Sequence, residues 1–218
     1  MRALAVFGKL LISLGVGVLL FVAWTLWGTG LYTEREQTRL AQTFDAQPSF
    51  KRVVKSGERP HGPPGTFRPG PGDPVFRLEI PALDVSKIVV QGVGLEELKI
   101  GPGHYPSCRG PFLPPLCTEL EEVWPGERGR VILSGHRTTY DAPFWGLDEL
   151  EEGDEIRAET RWGNFDYVVS GKEIVAPNSR DIANPAASNG RELVLTTCHP
   201  RFSAAERLIV FAELEGVT

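Results

Sequence analysis

The segment ELVLTTCHPRFSAAERLIVFAEL, Glu192 to Leu214, sets two apolar, β-prone runs on either side of a short polar link. Cys198 closes the first run, and Arg207 opens the second nine positions later. Such a cysteine is open to three readings: a small core residue, half of a disulfide, or a nucleophile. The rest of the chain has to discriminate between them.

Outward from this segment the same pattern recurs. VFRLEIP, VSKIVVQ, RVILSGH, EIRAET and FDYVVSGKEIV are short, alternating or β-branched, and bounded by Gly, Pro, Asn or Asp. Helical candidates are few: GLEELKIG, and APFWGLDELEE from Ala142 to Glu152. Seven or more short strands with turn residues between them predict a mainly β chain, folded as a closed or nearly closed antiparallel barrel. The folded domain is expected to run from Val75 to the last residue, 75–218.

The amino-terminal part differs. LLISLGVGVLLFVAWTLW, Leu10 to Trp27, has only Ser13 and Thr25 as polar residues, long enough to cross hydrocarbon. Arg2 and Lys9 precede it, which predicts a cytoplasmic amino end with everything after Leu31 outside the cell. The run is long for the core of a cleaved signal peptide and no A-x-A site follows, so residues 1–31 are expected to be an uncleaved transmembrane signal anchor. Residues 32–74 begin as a polar helical continuation and turn Pro/Gly-rich, RPHGPPGTFRPGPGDP, the composition of an extracellular stalk. His61 lies in that stalk. The net charge of −5 and the lack of any Lys/Arg-rich block argue against nucleic acid as a partner.

Three cysteines outside the membrane leave one thiol over. Cys108 and Cys117 share the Pro-rich stretch CRGPFLPPLC, and pairing them closes a short loop worth about 2–3 kcal/mol in the chain-entropy view. Cys198 then stays free. None of the three has C-x-x-C or H-x-x-x-H spacing, so no metal and no other cofactor is expected. The acidic run Asp148 to Glu155 lacks the ligand spacing of a calcium loop and reads as a solvated turn.

A free extracellular thiol invites oxidation, so its presence asks for a use. A nucleophilic cysteine needs a base within reach, because an ordinary thiol is mostly protonated at neutral pH. His61 is in the stalk, His104 in the Gly/Pro turn GPGHYP, and His199 adjoins Cys198 on the opposite strand face. His136 ends the apolar run RVILSGH and projects from a rigid element, which makes it the candidate acid/base. Arg207 supplies a fixed cation with several donors for a carbonyl or a developing oxyanion. Cysteine, histidine and arginine at strand ends point to covalent acyl transfer.

LVLTTC followed by HPRFSAAERLIV resembles the sortase signature, a Leu-X-Thr-Cys strand end with an arginine opening the next strand. SGHRTTYDAPF resembles the segment around the sortase histidine, and the likeness spans roughly Val75 to Leu214. The resemblance implies a sortase-type barrel of about eight strands and a cysteine transpeptidase, with Cys198 as nucleophile, His136 as general acid/base and Arg207 positioning substrate and stabilising the oxyanion. It implies cleavage of a C-terminal sorting signal between Thr and Gly, and transfer of a surface protein to a peptidoglycan precursor amine. Thr197 is expected to aid the oxyanion or to contact substrate backbone.

IGPGHYP and GHRTTYDAPF further resemble class E sortases, the housekeeping type of high-GC Gram-positive bacteria. In these a tyrosine matching Tyr105 is associated with Leu-Ala-X-Thr-Gly over Leu-Pro-X-Thr-Gly signals. A phenol oxygen can bond the N–H that alanine has and proline lacks. The loop SCRGPFLPPLCTELEEVWPGE is longer than that pattern, and a Cys108–Cys117 clip would shape one wall of the cleft.

The sequence is also compatible with three other readings. They are a pilin-polymerising sortase of the class C or D kind, a membrane-tethered cysteine protease that hydrolyses the same thioacyl intermediate, and a binding module in which Cys198 is merely buried. The Asp73-Pro74-Val75 sequence lacks the aromatic of a class C lid and reads as a plain strand entry.

Overall fold

The computed structural model describes residues 2–50, 62–179 and 184–217. Its centre is a closed barrel of eight strands: β1 (Pro74–Ile80), β2 (Val85–Gln91), β3 (Gly103–His104), β4 (Gly129–Ser134), β5 (Glu155–Thr160), β6 (Gly163–Val175), β7 (Arg191–His199) and β8 (Glu206–Val217). Around the barrel they run β1-β2-β3-β4-β7-β8-β6-β5, and β5 closes back on β1.

The closed mainly β architecture agrees with the sequence reading, but the strands are not all antiparallel. β2 and β3 run parallel across a connection that carries the short helix α1 (Leu95–Ile100), and β4 runs parallel to β7. Parallel neighbours cannot be joined by a hairpin. Here β4 and β7 are separated in the chain by the whole β5–β6 hairpin. The barrel is filled by alternate residues of each strand, among them Phe76, Leu78, Leu133, Phe165, Leu193, Leu195, Leu208 and Val210.

Two expectations change. β3 is not legible in the sequence because two residues inside a Gly/Pro-rich stretch leave no periodic pattern. The helix expected over Ala142–Glu152 is instead a chain of turns, in which Phe144, Leu147 and Leu150 are buried in the core. Ala142 with its positive φ of 41° cannot open a right-handed helix.

Ahead of the barrel, Arg2–Ala23 is one helix, denoted α2; its window Ala5–Ala23 has mean hydropathy 2.3 and no part buried. A π-helical turn, Trp24–Gly28, leads directly into α3, Thr29–Ala46. The segment expected as a stalk therefore begins as a helix docked on the barrel. Thr33, Gln37, Leu40 and Phe44 form its buried stripe, at helical spacing. Leu40 and Phe44 pack on Ile88 and Val90.

Gln37 completes the joint. Its side-chain amide donates to the Ile88 and Ile100 carbonyls at 3.0 and 2.7 Å, and its oxygen accepts from the Ile88 N–H at 2.7 Å. One glutamine thus stands in for a strand partner along the part of β2 that β3 is too short to cover. His61 lies outside the described residues. Asp73 closes a tight turn by accepting from the Gly70 N–H at 2.7 Å, and β1 starts at the next residue.

Candidate active site

Strand register brings the three expected catalytic residues together. Cys198 on β7 stands directly opposite Arg207 on β8. Ser134, the last residue of β4, is level with Thr196 on β7, so His136 and Cys198 each lie two residues beyond the same rung of neighbouring parallel strands. Adjacent strands are about 4.8 Å apart. Leu193 and Leu195 point into the barrel, so the two-residue period turns Val194, Thr196 and Cys198 outward. The site is therefore a patch on the outer wall at one barrel end, not a cavity inside it. Cys198 is free and half-buried.

The histidine is set by its own turn. The Gly135 N–H donates to the Thr196 carbonyl at 3.1 Å, and the Phe144 N–H donates to the His136 carbonyl at 3.2 Å. A side chain at residue 135 would strike the Phe144 ring, since a Cβ there would lie 2.5 Å from it. The His136 ring lies 4.9 Å from the Tyr140 ring, and its Nδ1 is 3.5 Å from the Thr139 hydroxyl. Burial pushes the His136 imidazole below its ordinary pKa and favours the neutral form. The Arg207 guanidinium donates from Nη1 to the Ala204 and Glu206 carbonyls at 3.1 and 2.9 Å, which holds it against the backbone at the head of β8.

Thr197 takes the other side of β7. It is buried, and its hydroxyl donates to the Gly135 carbonyl at 2.7 Å. Its hydroxyl proton is thus committed to the turn that precedes His136 and not to the Cys198 face. Thr196 has the outward place instead: it is 3% exposed, and its hydroxyl oxygen has no hydrogen-bond partner among the described residues.

Tyr105 also belongs to the outer wall. His104 pairs with Leu133 and points into the core, while the Tyr105 N–H donates to the Ile132 carbonyl at 2.9 Å and its side chain takes the opposite face. The phenol donates to the Pro115 carbonyl at 2.6 Å, and burial raises its pKa. Pro115 sits in the loop joined by a Cys108–Cys117 disulfide, Cα atoms 4.9 Å apart. Hydrogen bonds from the Cys108 N–H to the Thr118 carbonyl and from the Thr118 N–H to the Pro106 carbonyl lock the base of that loop.

The remaining histidines separate cleanly. His104 is buried, with Nε2 3.0 Å from the Val123 carbonyl and Nδ1 2.9 Å from the Gln91 side-chain amide, and stacks on Trp124 at 4.2 Å. Burial drives its pKa down to about 4. His199 turns away from the thiol, with Nδ1 3.1 Å from Arg137 Nη1.

Arg137 was missed from sequence. It is 2% exposed, pairs with Asp148 at 2.6 Å and reaches the Cys198 carbonyl at 3.4 Å. A buried guanidinium survives only with such partners. Desolvation raises the Asp148 pKa, but its own backbone N–H and the charges of Arg137 and Arg201 outweigh that and hold the carboxyl below its usual range. This cluster ties the residue after His136 to the residue before His199. Its signal was present in SGHRTTYDAPF, but nothing in a sequence says that an arginine is buried.

A thiol, an imidazole and a guanidinium at adjoining strand ends can form and resolve a thioester. Several known proteins match the chain. The sortase domain family matches residues 78–215. Sortase SrtE1 of Streptomyces coelicolor is 31% identical over 216 residues, which is 95% of this chain but 56% of that protein, so the chain spans little more than half of this relative. Sortase D of Bacillus subtilis is 30% identical over 186 residues, 83% of this chain and 84% of that protein.

Among solved structures, sortase E1 from S. coelicolor with a tripeptide in its active site superposes with a TM-score of 0.58 at 28% identity, covering 69% of this chain and 93% of that one. Sortase E from Streptomyces avermitilis gives 0.56 at 30% identity, covering 68% and 92%. With the domain matched over most of the barrel and class E enzymes among its relatives, this chain belongs to the sortase family.

Proposed function

We propose that the chain is a membrane-anchored cysteine transpeptidase that cleaves a sorting signal between Thr and Gly and passes the acyl group to a cell-wall amine. The observation that carries this reading is the alignment of Cys198, Arg207 and His136 at one end of three neighbouring strands. The Cys198 sulfur, its proton taken by His136, attacks the Thr carbonyl carbon, and Arg207 donates to the oxyanion that forms. The C–N bond to Gly breaks, His136 returns the proton to the leaving amine, and a thioester remains on Cys198. The amine of a peptidoglycan precursor then attacks the thioester and gives its proton to His136; the C–S bond breaks, and the departing Cys198 sulfur takes that proton back from His136. The apolar helix α2 holds the enzyme in the membrane, amino end in the cytoplasm and barrel outside.

Donor choice is assigned to Tyr105. Its single hydroxyl proton is committed to the Pro115 carbonyl, so toward the groove its oxygen can only accept. An alanine N–H satisfies that acceptor and a proline cannot. Substrates are then surface proteins carrying Leu-Ala-X-Thr-Gly in preference to Leu-Pro-X-Thr-Gly.

The test uses the full chain in lipid nanodiscs with both peptides, with and without an excess of amine acceptor, followed by mass spectrometry. The expected result is a thioacyl adduct on Cys198 and an amine-ligated product, both lost in Cys198→Ala with an unchanged circular dichroism spectrum. Turnover that persists in Cys198→Ala, or hydrolysis alone in the presence of acceptor, contradicts the proposal. In Tyr105→Phe the preference for the alanine peptide should shrink about three- to tenfold, the value of one hydrogen bond.

A further inference from the structure

The turn after His136 is held in a conformation that its own residues disfavour. Tyr140, Asp141 and Ala142 have φ of 53°, 63° and 41°. Left-handed backbone is unfavourable for residues with a Cβ, and three in succession persist only where the surroundings impose them. Within the barrel the Ala142 N–H donates to the Thr139 carbonyl at 2.9 Å, and Asp141 forms an ion pair with Lys87 of β2.

The other contact comes from outside the barrel. The Tyr140 N–H donates to the Thr29 hydroxyl oxygen at 3.1 Å, across 111 residues of sequence. Thr29 is the first residue of α3, directly after the π-helical turn that follows the apolar helix. Its hydroxyl proton goes to the Thr25 carbonyl inside that turn at 2.9 Å, so its oxygen faces the loop as an acceptor. The next residue, Gly30, brings the helix flush with the loop: a Cβ there would lie 3.7 Å from the Asp141 nitrogen. Wide helical turns of this kind recur at functional sites. The residue they hold here is the one whose ring lies against His136.

We infer that Thr29 is a positioning residue for the catalytic histidine, and that the membrane-proximal helix is a working part of the active site. Through the chain Thr25 carbonyl, Thr29 hydroxyl, Tyr140 N–H, the helix fixes the left-handed turn, and the turn fixes the Tyr140 ring that confines His136. The inference rests on the proposed role of His136 in acyl transfer. It makes no use of which sorting signal is cleaved.

The test compares the full-length wild type with Thr29→Val, Thr29→Ser and, as a control on the same helix face, Thr33→Val. Thr33 donates to the Lys99 carbonyl at 2.8 Å and to the Thr29 carbonyl at 3.2 Å, so its loss leaves the Thr29 hydroxyl and its bond to the Tyr140 N–H in place. Amide hydrogen exchange is read at Tyr140, and kcat and KM are read per titrated Cys198. In Thr29→Val, Tyr140 exchange should rise tenfold or more and kcat should fall at least fivefold with KM for the peptide unchanged. Thr29→Ser should restore both, and Thr33→Val should leave kcat as in the wild type. Unchanged Tyr140 exchange in Thr29→Val, faster exchange with normal kcat, or an equal loss of kcat in Thr33→Val overturns the inference. A wild type that forms no thioacyl adduct overturns instead the reading of Cys198, while the exchange result still reports on the helix contact.

Discussion

Thr196 and Thr197 are neighbours of the same type, yet they occupy opposite sides of β7. Thr197 is spent inside, on the Gly135 carbonyl, whereas the Thr196 hydroxyl is buried on the Cys198 side without a partner among the described residues. An unpaired buried hydroxyl costs stability, and removing it at constant shape is neutral or favourable. Thr196→Val should therefore leave the protein as stable or up to about 1 kcal/mol more stable in chemical denaturation, while kcat/KM for the donor peptide falls about three- to tenfold. A fall in stability alongside normal turnover would mean that the hydroxyl serves the fold. The strand period already placed Thr196, not Thr197, on the same face as Cys198. The family likeness drew attention to the residue adjacent to Cys198, and adjacency on a strand means the opposite face. Arg137 was out of reach for a different reason: its burial depends on Asp148 and His199, which only the tertiary structure brings to it.

At the level of elements, the strands with alternating or β-branched runs were readable, and so was their closure. The parallel pairing of β4 with β7 was not, because local periodicity carries no information on the direction of a distant neighbour. That pairing is what levels His136 with Cys198. The helix α3 was legible as a helix but not as a docked one. Its buried stripe is half polar, Thr33 and Gln37 beside Leu40 and Phe44, and reads as a solvated face until the backbone groups of β2 are found under it. Gln37→Ala would leave the Ile88 N–H and the carbonyls of Ile88 and Ile100 short of partners. It should cost about 2–3 kcal/mol. Hydrogen exchange along α3 and β2 measures this directly; a loss below about 0.5 kcal/mol would show that the apolar contacts alone hold the helix.

For the molecule as a whole, acid should act through the core as well as through surface carboxylates. His104 is neutral in the folded state down to about pH 4, whereas in the unfolded chain it takes up a proton near pH 6.5. Between those values the unfolded state binds more protons, so stability is complete above about pH 6.5 and declines as pH falls toward 4. The shift corresponds to about 3 kcal/mol. Denaturation at pH 7 and pH 4.5 should show most of that loss, and titration of the His104 ring by NMR should find no protonation above about pH 5. A ring that titrates near 6.5 contradicts the assignment. In sequence His104 was one more histidine in a Gly/Pro turn. Only the closed barrel, with Trp124 folded against the ring, makes it an interior residue.

The run from α2 through the π-helical turn into α3 has a mechanical meaning. α3 is 18 residues long and rises about 27 Å. Because the barrel is bolted to its side by Gln37, Leu40 and Phe44, the catalytic domain does not swing on a loose cord. With α2 in the bilayer, the thiol sits at one altitude and one bearing relative to the lipid surface. On the proposed transpeptidase reading, a substrate must offer its scissile bond at that altitude, so the spacer between a sorting motif and its own membrane segment becomes a measured length. Selection by such a gauge acts before any side chain of the groove is met.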